Sequence, residues 1–334
     1  MTNNEIYPSV QNLKQLDNGS LFTTVVVVRK INKKLSKNGS PFLQIEVGDA
    51  VDSLSFNCFE GSDIFNFFQQ PATRFPQIIK IQGIIDFFAD KLSPKIKTIQ
   101  AIDDASYETY LEQLIEKPEE SLDALKENLN QLIAQISYPA LAATVQQVFK
   151  DLGTGFFDSV AAISMHHAYI HGLLEHTVHV GRVVQNLIEL YPNVNADIAL
   201  AGALLHDVGK VLEYHYSLDG IERTCVGRLQ GHVVLGYRLV RSAGLRQKLH
   251  PVWLERLEHI ILSHQGEPEW GAAVYPSTPE AVLVGLADNL DAKMEMVHHN
   301  MKKAIEEMPF SEFIQGLQTR LLTQPLPDPN TQTL

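Results

Sequence analysis

The sequence predicts a multi-domain chain in which an N-terminal all-β barrel is followed by an all-α domain. Three observations predict it. Up to about residue 105, short runs rich in Val, Ile and Phe alternate with Gly, Asp, Asn and Pro, the texture of strands and turns. From there on, apolar residues recur at helical spacing instead. Inside those later stripes stand histidines and aspartates, which are costly to bury without partners. The length, 334 residues, suits about two domains, each with its own core.

Residues 21–29, 42–47, 53–59, 78–85 and 95–102 read as five strands. Five short strands with such turns suggest an OB-fold barrel. The first hairpin carries Arg29, Lys30, Lys33, Lys34 and Lys37 ahead of the Asn38-Gly39 turn, and Phe42 follows. Basic groups of this kind follow a phosphate backbone, while Phe42, Phe56 or Phe59 would offer a stacking surface for bases; at strand spacing the same aromatics also serve as core. Residues 106–160 read as amphipathic helix broken by Pro118, Pro139 and Gly153, with Glu119-Glu120-Ser121 marking a helix start. Their leucines and isoleucines need burial, so this stretch is expected to be a connector packed on the helical domain. The expected boundaries are 1–105, 106–160, 161–310 and 311–334, and the polar, proline-rich end 324–334 reads as disordered.

The helical stripes carry the chemistry. Between residues 172 and 192, Leu173, Val180, Val183 and Leu187 form an apolar row that includes His176. Residues 198–210, IALAGALLHDVGK, read as a buried helix whose last turn holds His206 and Asp207, with Gly209 as its stop. His232 opens a stripe continued by Leu235, Gly236 and Leu239, and His264 closes one made of Leu257, Ile260 and Ile261. Asp288 follows Ala281, Val284 and Gly285. Five helices would thus deliver ligands to one interior point. Mixed imidazoles and carboxylates suit Mn²⁺, Fe²⁺, Co²⁺, Ni²⁺ or Zn²⁺ better than Mg²⁺ or Ca²⁺.

The ordered pieces HGLLEHT (171–177), LLHDVGK (204–210), GHVVLGY (231–237), ILSHQGE (261–267) and ADNLDAK (287–293) resemble the HD superfamily of metal-dependent phosphohydrolases. Together with MHHAYIHGLLEHT (165–177), they are most similar to the YhaM-type 3′-to-5′ exoribonucleases, in which an OB domain precedes the HD domain. Two positions depart from the pattern: His171 stands where a small residue is usual, and Gln265 where many relatives have a second histidine.

The resemblance implies that His176, His206, Asp207 and Asp288 hold one metal, most readily Mn²⁺. His232 and His264 would hold a second, with Asp207 bridging. It implies hydrolysis of single-stranded RNA or short oligonucleotides to 5′-mononucleotides, extending to single-stranded DNA. Lys210, one turn after His206, is placed to meet a phosphate oxygen or the leaving group, its alternative being a solvated lysine at a helix end. His167 is a candidate for the scissile phosphate, or else a packing residue, and Arg228 a candidate for backbone contact. His179 reads as an outer neighbour of the site. His215, His250, His259, His298 and His299 read as structural or exposed.

A net charge of −12 argues against avid duplex binding and leaves short single strands open. No segment approaches the about 20 apolar residues of a membrane span, and the polar start lacks a signal core, so the expectation is a cytoplasmic protein without a membrane partner. The two cysteines, Cys58 and Cys225, read as buried free thiols. A homo-oligomer is compatible with the sequence. Two other functions stay open: an HD-type nucleotide or cyclic-dinucleotide phosphohydrolase, and a non-catalytic strand-binding protein on an HD scaffold.

Overall fold

The structure is a computed structural model that describes residues 7–72, 74, 76–88, 91–161, 169–217, 220–303 and 308–326. His167 and residues 327–334 of the expected disordered tail lie outside them. The chain divides into two compact units, Met1–Lys117 with Tyr214–Thr224, and Pro118–Glu213 with Cys225–Leu334.

In the first unit a short helix α1 (Val10–Lys14) precedes strands β1 (Leu21–Leu35), β2 (Pro41–Gly48) and β3 (Ser53–Phe59). Helix α2 (Asp63–Gln69), strands β4 (Ile78–Ile84) and β5 (Lys95–Ala101), and helix α3 (Asp104–Leu114) follow. The five strands form one antiparallel, OB-like sheet in the order β3-β2-β1-β4-β5. Among the described residues no ladder joins β3 to β5. Strand β1 runs six residues beyond the expected end at Arg29 because it serves two partners: Leu21 to Val27 pair with β4, and Val27 to Leu35 with β2. An irregularity in the β2 ladder between Val28 and Lys30 follows directly on the overlap at Val27, as a bulge does when one strand must bend between neighbours.

The inward side chains Val26, Val28, Leu43, Ile45, Val47, Phe56, Ile79 and Ile81 pack with Val10 and Leu13 of α1. Phe56 is therefore core, not a platform for bases. Cys58 lies in the same core, and burial pushes its thiol up to about 12. Cys225, expected to be buried, is exposed.

The opposite face of β1 and β4, Val25, Val27 and Ile78, is covered by Tyr107 of α3, whose hydroxyl donates to the Pro76 carbonyl. The stretch 106–160, read as a single connector, is thus divided. Helix α3 belongs to the sheet unit because its apolar side finds a second sheet face there. Only the part from Pro118 belongs to the helical unit.

The helical unit comprises α4 (Leu122–Ala134), α5 (Pro139–Leu152), α6 (Thr154–Phe157), α7 (Gly172–Leu187), α8 (Ala196–Leu205), α9 (Lys210–Glu213), α10 (Cys225–Arg246), α11 (Pro251–Ser263) and α12 (Pro279–Lys302). Helix α8, Ala196–Leu205, is apolar almost all round and buried from Ile198 on, which makes it the central helix. It is started by the Asn195 side chain, and the Asp197 carboxylate in its first turn accepts from the Ser137 and Tyr138 amides. Between α9 and α10 the chain makes a hairpin, β6 (Tyr214–Ser217) with β7 (Gly220–Arg223), which the helical periodicity did not foretell and which groups with the first unit. No described helix is long and apolar enough to cross a membrane.

Candidate metal centre

Five helices converge on the site. His176 projects from α7; His206 ends α8; Asp207 starts the turn into α9; His264 ends α11; Asp288 comes from the middle of α12. His232 follows Gly231, whose φ of +68° interrupts α10 and is affordable only for a residue without a Cβ. Gly209 permits the tightest approach: a Cβ there would lie 2.0 Å from the His232 carbonyl oxygen and 2.5 Å from the Gly236 amide. The expected helix stop is thus also the point where α9 and α10 touch backbone to backbone.

The ligand atoms fall into two groups that share Asp207, each group having its ligand atoms within 4.8 Å of one another. In the first, His176 Nε2 lies 3.1 Å from His206 Nε2, 3.4 Å from Asp207 Oδ2 and 3.2 Å from Asp288 Oδ1. In the second, His232 Nε2 and His264 Nε2 each lie 3.5 Å from Asp207 Oδ1. Asp207 is 1% exposed, and neither of its oxygens has a hydrogen bond of suitable geometry, although the Lys210 ammonium stands 2.5 Å from Oδ2 as an ion pair.

The other ring nitrogens explain the arrangement. His176 Nδ1 pairs with Asp291 Oδ2 at 2.7 Å and His232 Nδ1 with Glu213 Oε2 at 2.8 Å. His206 Nδ1 donates to the Ala203 carbonyl and His264 Nδ1 to the Ile261 carbonyl, each at 2.8 Å. All four partners are acceptors, so the proton of each neutral ring belongs on Nδ1 and the lone pair on Nε2. Two lone pairs 3.1 Å apart repel unless a positive charge lies between them. Orphaned carboxylate oxygens and converging imidazole lone pairs are the donor set of a divalent transition metal, and the residues fit such an ion.

The electrostatics show how anionic the pocket is: in the absence of a metal, a proton on His176 takes the place a cation would hold. Burial works against a charged His176, but the surrounding carboxylates of Asp207, Asp288 and Asp291 outweigh it and hold its pKa well above the usual imidazole value when no cation is bound. Burial also works against a charged Asp207, yet Lys210 and the neighbouring histidines hold it well below the usual carboxylate range. Asp288 is depressed in the same way, with His176 overcoming the effect of burial. The site therefore carries anionic carboxylates that draw a cation.

The structure brings together the six expected ligands, and Lys210 beside them. Lys210 is buried rather than solvated. Arg228 lies exposed at the start of α10. His179, read as an outer neighbour, places Nδ1 3.1 Å from Asp291 Oδ1. The sequence missed Asp291 and Glu213, and marked Gln265 only as a departure from the family pattern. Asp291 had a signal, since it lies one helical turn after Asp288 in ADNLDAK and so shares its face. Glu213 had only the oddity of an acid in an apolar run.

On the sheet, the candidate strand contacts do not act as one set. Register places Lys30 opposite Glu46 and Lys34 opposite Phe42, which is itself opposite Phe59, so these share the outward face of β1, β2 and β3. Phe42 and Phe59 stack with ring centroids 5.6 Å apart. Lys33 pairs with the inward-phase Leu43 and so falls on the other face. The Arg29 guanidinium bonds to the Asp49 carbonyl and lies over Gly48, which ties it to the turn after β2. Lys34 reaches Gln44 Oε1 at 2.7 Å.

Residues 173–293 match the family model of the HD domain. Over most of its length the chain is similar to proteins named 3′-5′ exoribonuclease YhaM. The relative from Geobacillus sp. (strain WCH70) is 28% identical over 309 residues, covering 92% of this chain and 93% of that one. The relative from Shouchella clausii is 29% identical over 304 residues, covering 90% and 92%. That from Bacillus subtilis (strain 168) is 24% identical over 300 residues, covering 90% and 93%. The matched segment lies in the helical unit and contains all six converging candidate ligands.

Proposed function

We propose that this chain is a metal-dependent 3′-to-5′ exoribonuclease that removes 5′-mononucleotides from single-stranded RNA or short oligonucleotides. One observation carries the reading: the two oxygens of buried Asp207 each face a different pair of imidazole lone pairs, so one carboxylate joins two cation positions. Similarity to proteins named as exoribonucleases over about nine-tenths of the chain supports the choice of substrate.

Bound there, divalent ions, Mn²⁺ foremost, supply the Lewis acidity and charge neutralisation that attack by water at a phosphodiester needs. The chain's own residues hold and orient. Asp291, Glu213 and the Ala203 and Ile261 carbonyls keep the four imidazoles in the ligating tautomer. Lys210, held beside Asp207, is the group to meet a non-bridging phosphate oxygen or the leaving O3′. His167 is a further candidate for phosphate contact. Water adds to phosphorus, the bond to O3′ of the preceding nucleotide breaks, and that oxygen takes up a proton. The products are a 5′-mononucleotide and a strand shorter by one. Phe42 and Phe59, with Lys34 opposite Phe42 and Lys30 further along the same face, are the surface for bases and backbone on the OB-like sheet; Lys33 and Arg29 are peripheral to it, and Arg228 remains a candidate for backbone contact on the helical unit.

The test is incubation of the purified chain with Mn²⁺ and a 5′-labelled single-stranded RNA beside a chelated control. The expected result is a metal-dependent ladder shortening from the 3′ end. Intact RNA with Mn²⁺, Co²⁺, Fe²⁺, Ni²⁺ and Zn²⁺ alike would exclude the proposal.

A further inference from the structure

The second group of ligands has a neighbour that the motif reading leaves without a role. Gln265 follows the C-terminal histidine of α11, where the chain turns at Gly266 with φ +82° and the Gly266 amide donates to the Ser263 carbonyl. That turn aims the Gln265 side chain back at the site. Its amide nitrogen lies 3.3 Å from His232 Nε2 and 3.1 Å from His264 Nε2. Both imidazoles have committed Nδ1–H to Glu213 and Ile261, so both Nε2 atoms are acceptors, and the two amide hydrogens match them. The amide nitrogen thus sits where a cation shared by these two histidines would be approached.

We propose that Gln265 is the fourth ligand of the second ion and that its amide has two states. Without the ion its N–H groups satisfy the two imidazoles. With the ion, a half-turn about the last side-chain bond presents Oε1 at the place Nε2 held, as a neutral oxygen donor. The inference rests on the metal-centre reading above and adds a consequence to it. The first group offers two imidazoles and two carboxylates, the second two imidazoles, the shared Asp207 and this amide. The second ion meets less negative charge and displaces two hydrogen bonds on entry. It therefore binds more weakly and exchanges first.

Calorimetric titration of Mn²⁺ into the chelator-stripped full chain, and into Gln265→Ala and Gln265→His, decides the matter without recourse to activity. The wild type is expected to show a tight and a weak class of site. Gln265→Ala should leave the tight class unchanged and weaken the other at least about tenfold, the scale on which ligand-supporting groups alter metal affinity. Gln265→His, which keeps a side-chain donor at this position, should restore or tighten the weak class, and so separates loss of a ligand from loss of the fold. A weak class unchanged or tightened in Gln265→Ala overturns the ligand role, tightening meaning that the amide only plugs the position. A wild type that takes up no Mn²⁺ overturns the metal-centre reading itself.

Discussion

In the helical unit the six candidate metal ligands lie in the interior, and all four of their imidazoles are tied through Nδ1 to named partners, whereas on the sheet unit the candidate groups lie at the surface, some of them bound to nearby turns. His176, His206, Asp207 and His264 are 1% exposed or less, and Phe59 is 58% exposed. The difference is physical. A buried polar group must be satisfied or it destabilises the fold, so its presence in an apolar stripe announces a partner. A lysine or phenylalanine on a strand carries no such obligation, and only strand register decides which face it serves.

The sharpest way to break this comparison is Asp207→Ala. It removes the one carboxylate common to both groups, so Mn²⁺ retention should be lost and RNA turnover should fall on the order of a thousandfold, the scale on which a principal electrostatic group acts. Binding of a fluorescent oligoribonucleotide should persist. Retained turnover would separate the cluster from catalysis.

The complementary change is Phe42→Ala together with Phe59→Ala. Loss of a stacking surface is expected to weaken single-strand binding by about 1–3 kcal/mol for each unstacked base, measured by fluorescence anisotropy, with calorimetric uptake of Mn²⁺ unchanged. Unaltered strand affinity would remove this face from the binding surface, and the two units would no longer divide the work as proposed.

The smallest effect concerns His171, which precedes α7 with a φ of +71° and pairs through Nδ1 with the Phe157 carbonyl. Comparing His171→Ala with His171→Gly isolates the backbone, because both remove the imidazole. The glycine variant should be the more stable by about 1 kcal/mol in denaturant unfolding, since only it adopts the left-handed region freely. Equal stabilities would mean that the segment relaxes when the side chain goes. The positive φ also gives a physical reason for a small residue at this position.

Much of the candidate site was legible because burial and periodicity speak together: all six candidate ligands sit in or end apolar helical stripes, and the structure gathers them into two groups. The groups behind the ligands were not legible in the same way. Glu213 reaches His232 from 19 residues away and Asp291 reaches His176 from 115, and no local pattern marks either pairing. On the sheet, the five strands were legible from composition. The extension of β1 to Leu35 was not, because the run of lysines masks a strand that continues only by virtue of pairing with β2.

By itself the sequence determined the fold class and picked out the candidate ligands, since strand and helix periods and the cost of burying charge are local properties of the chain. Tertiary structure alone decided that one carboxylate is shared between two groups, that Lys33 parts company with Lys34, that α3 belongs to the sheet, and that Gln265 lies against two imidazoles. Each of these depends on register or on helices crossing at a particular point. Gly209 shows how closely that point is set, because the approach of its backbone to His232 leaves no room for a single methyl group.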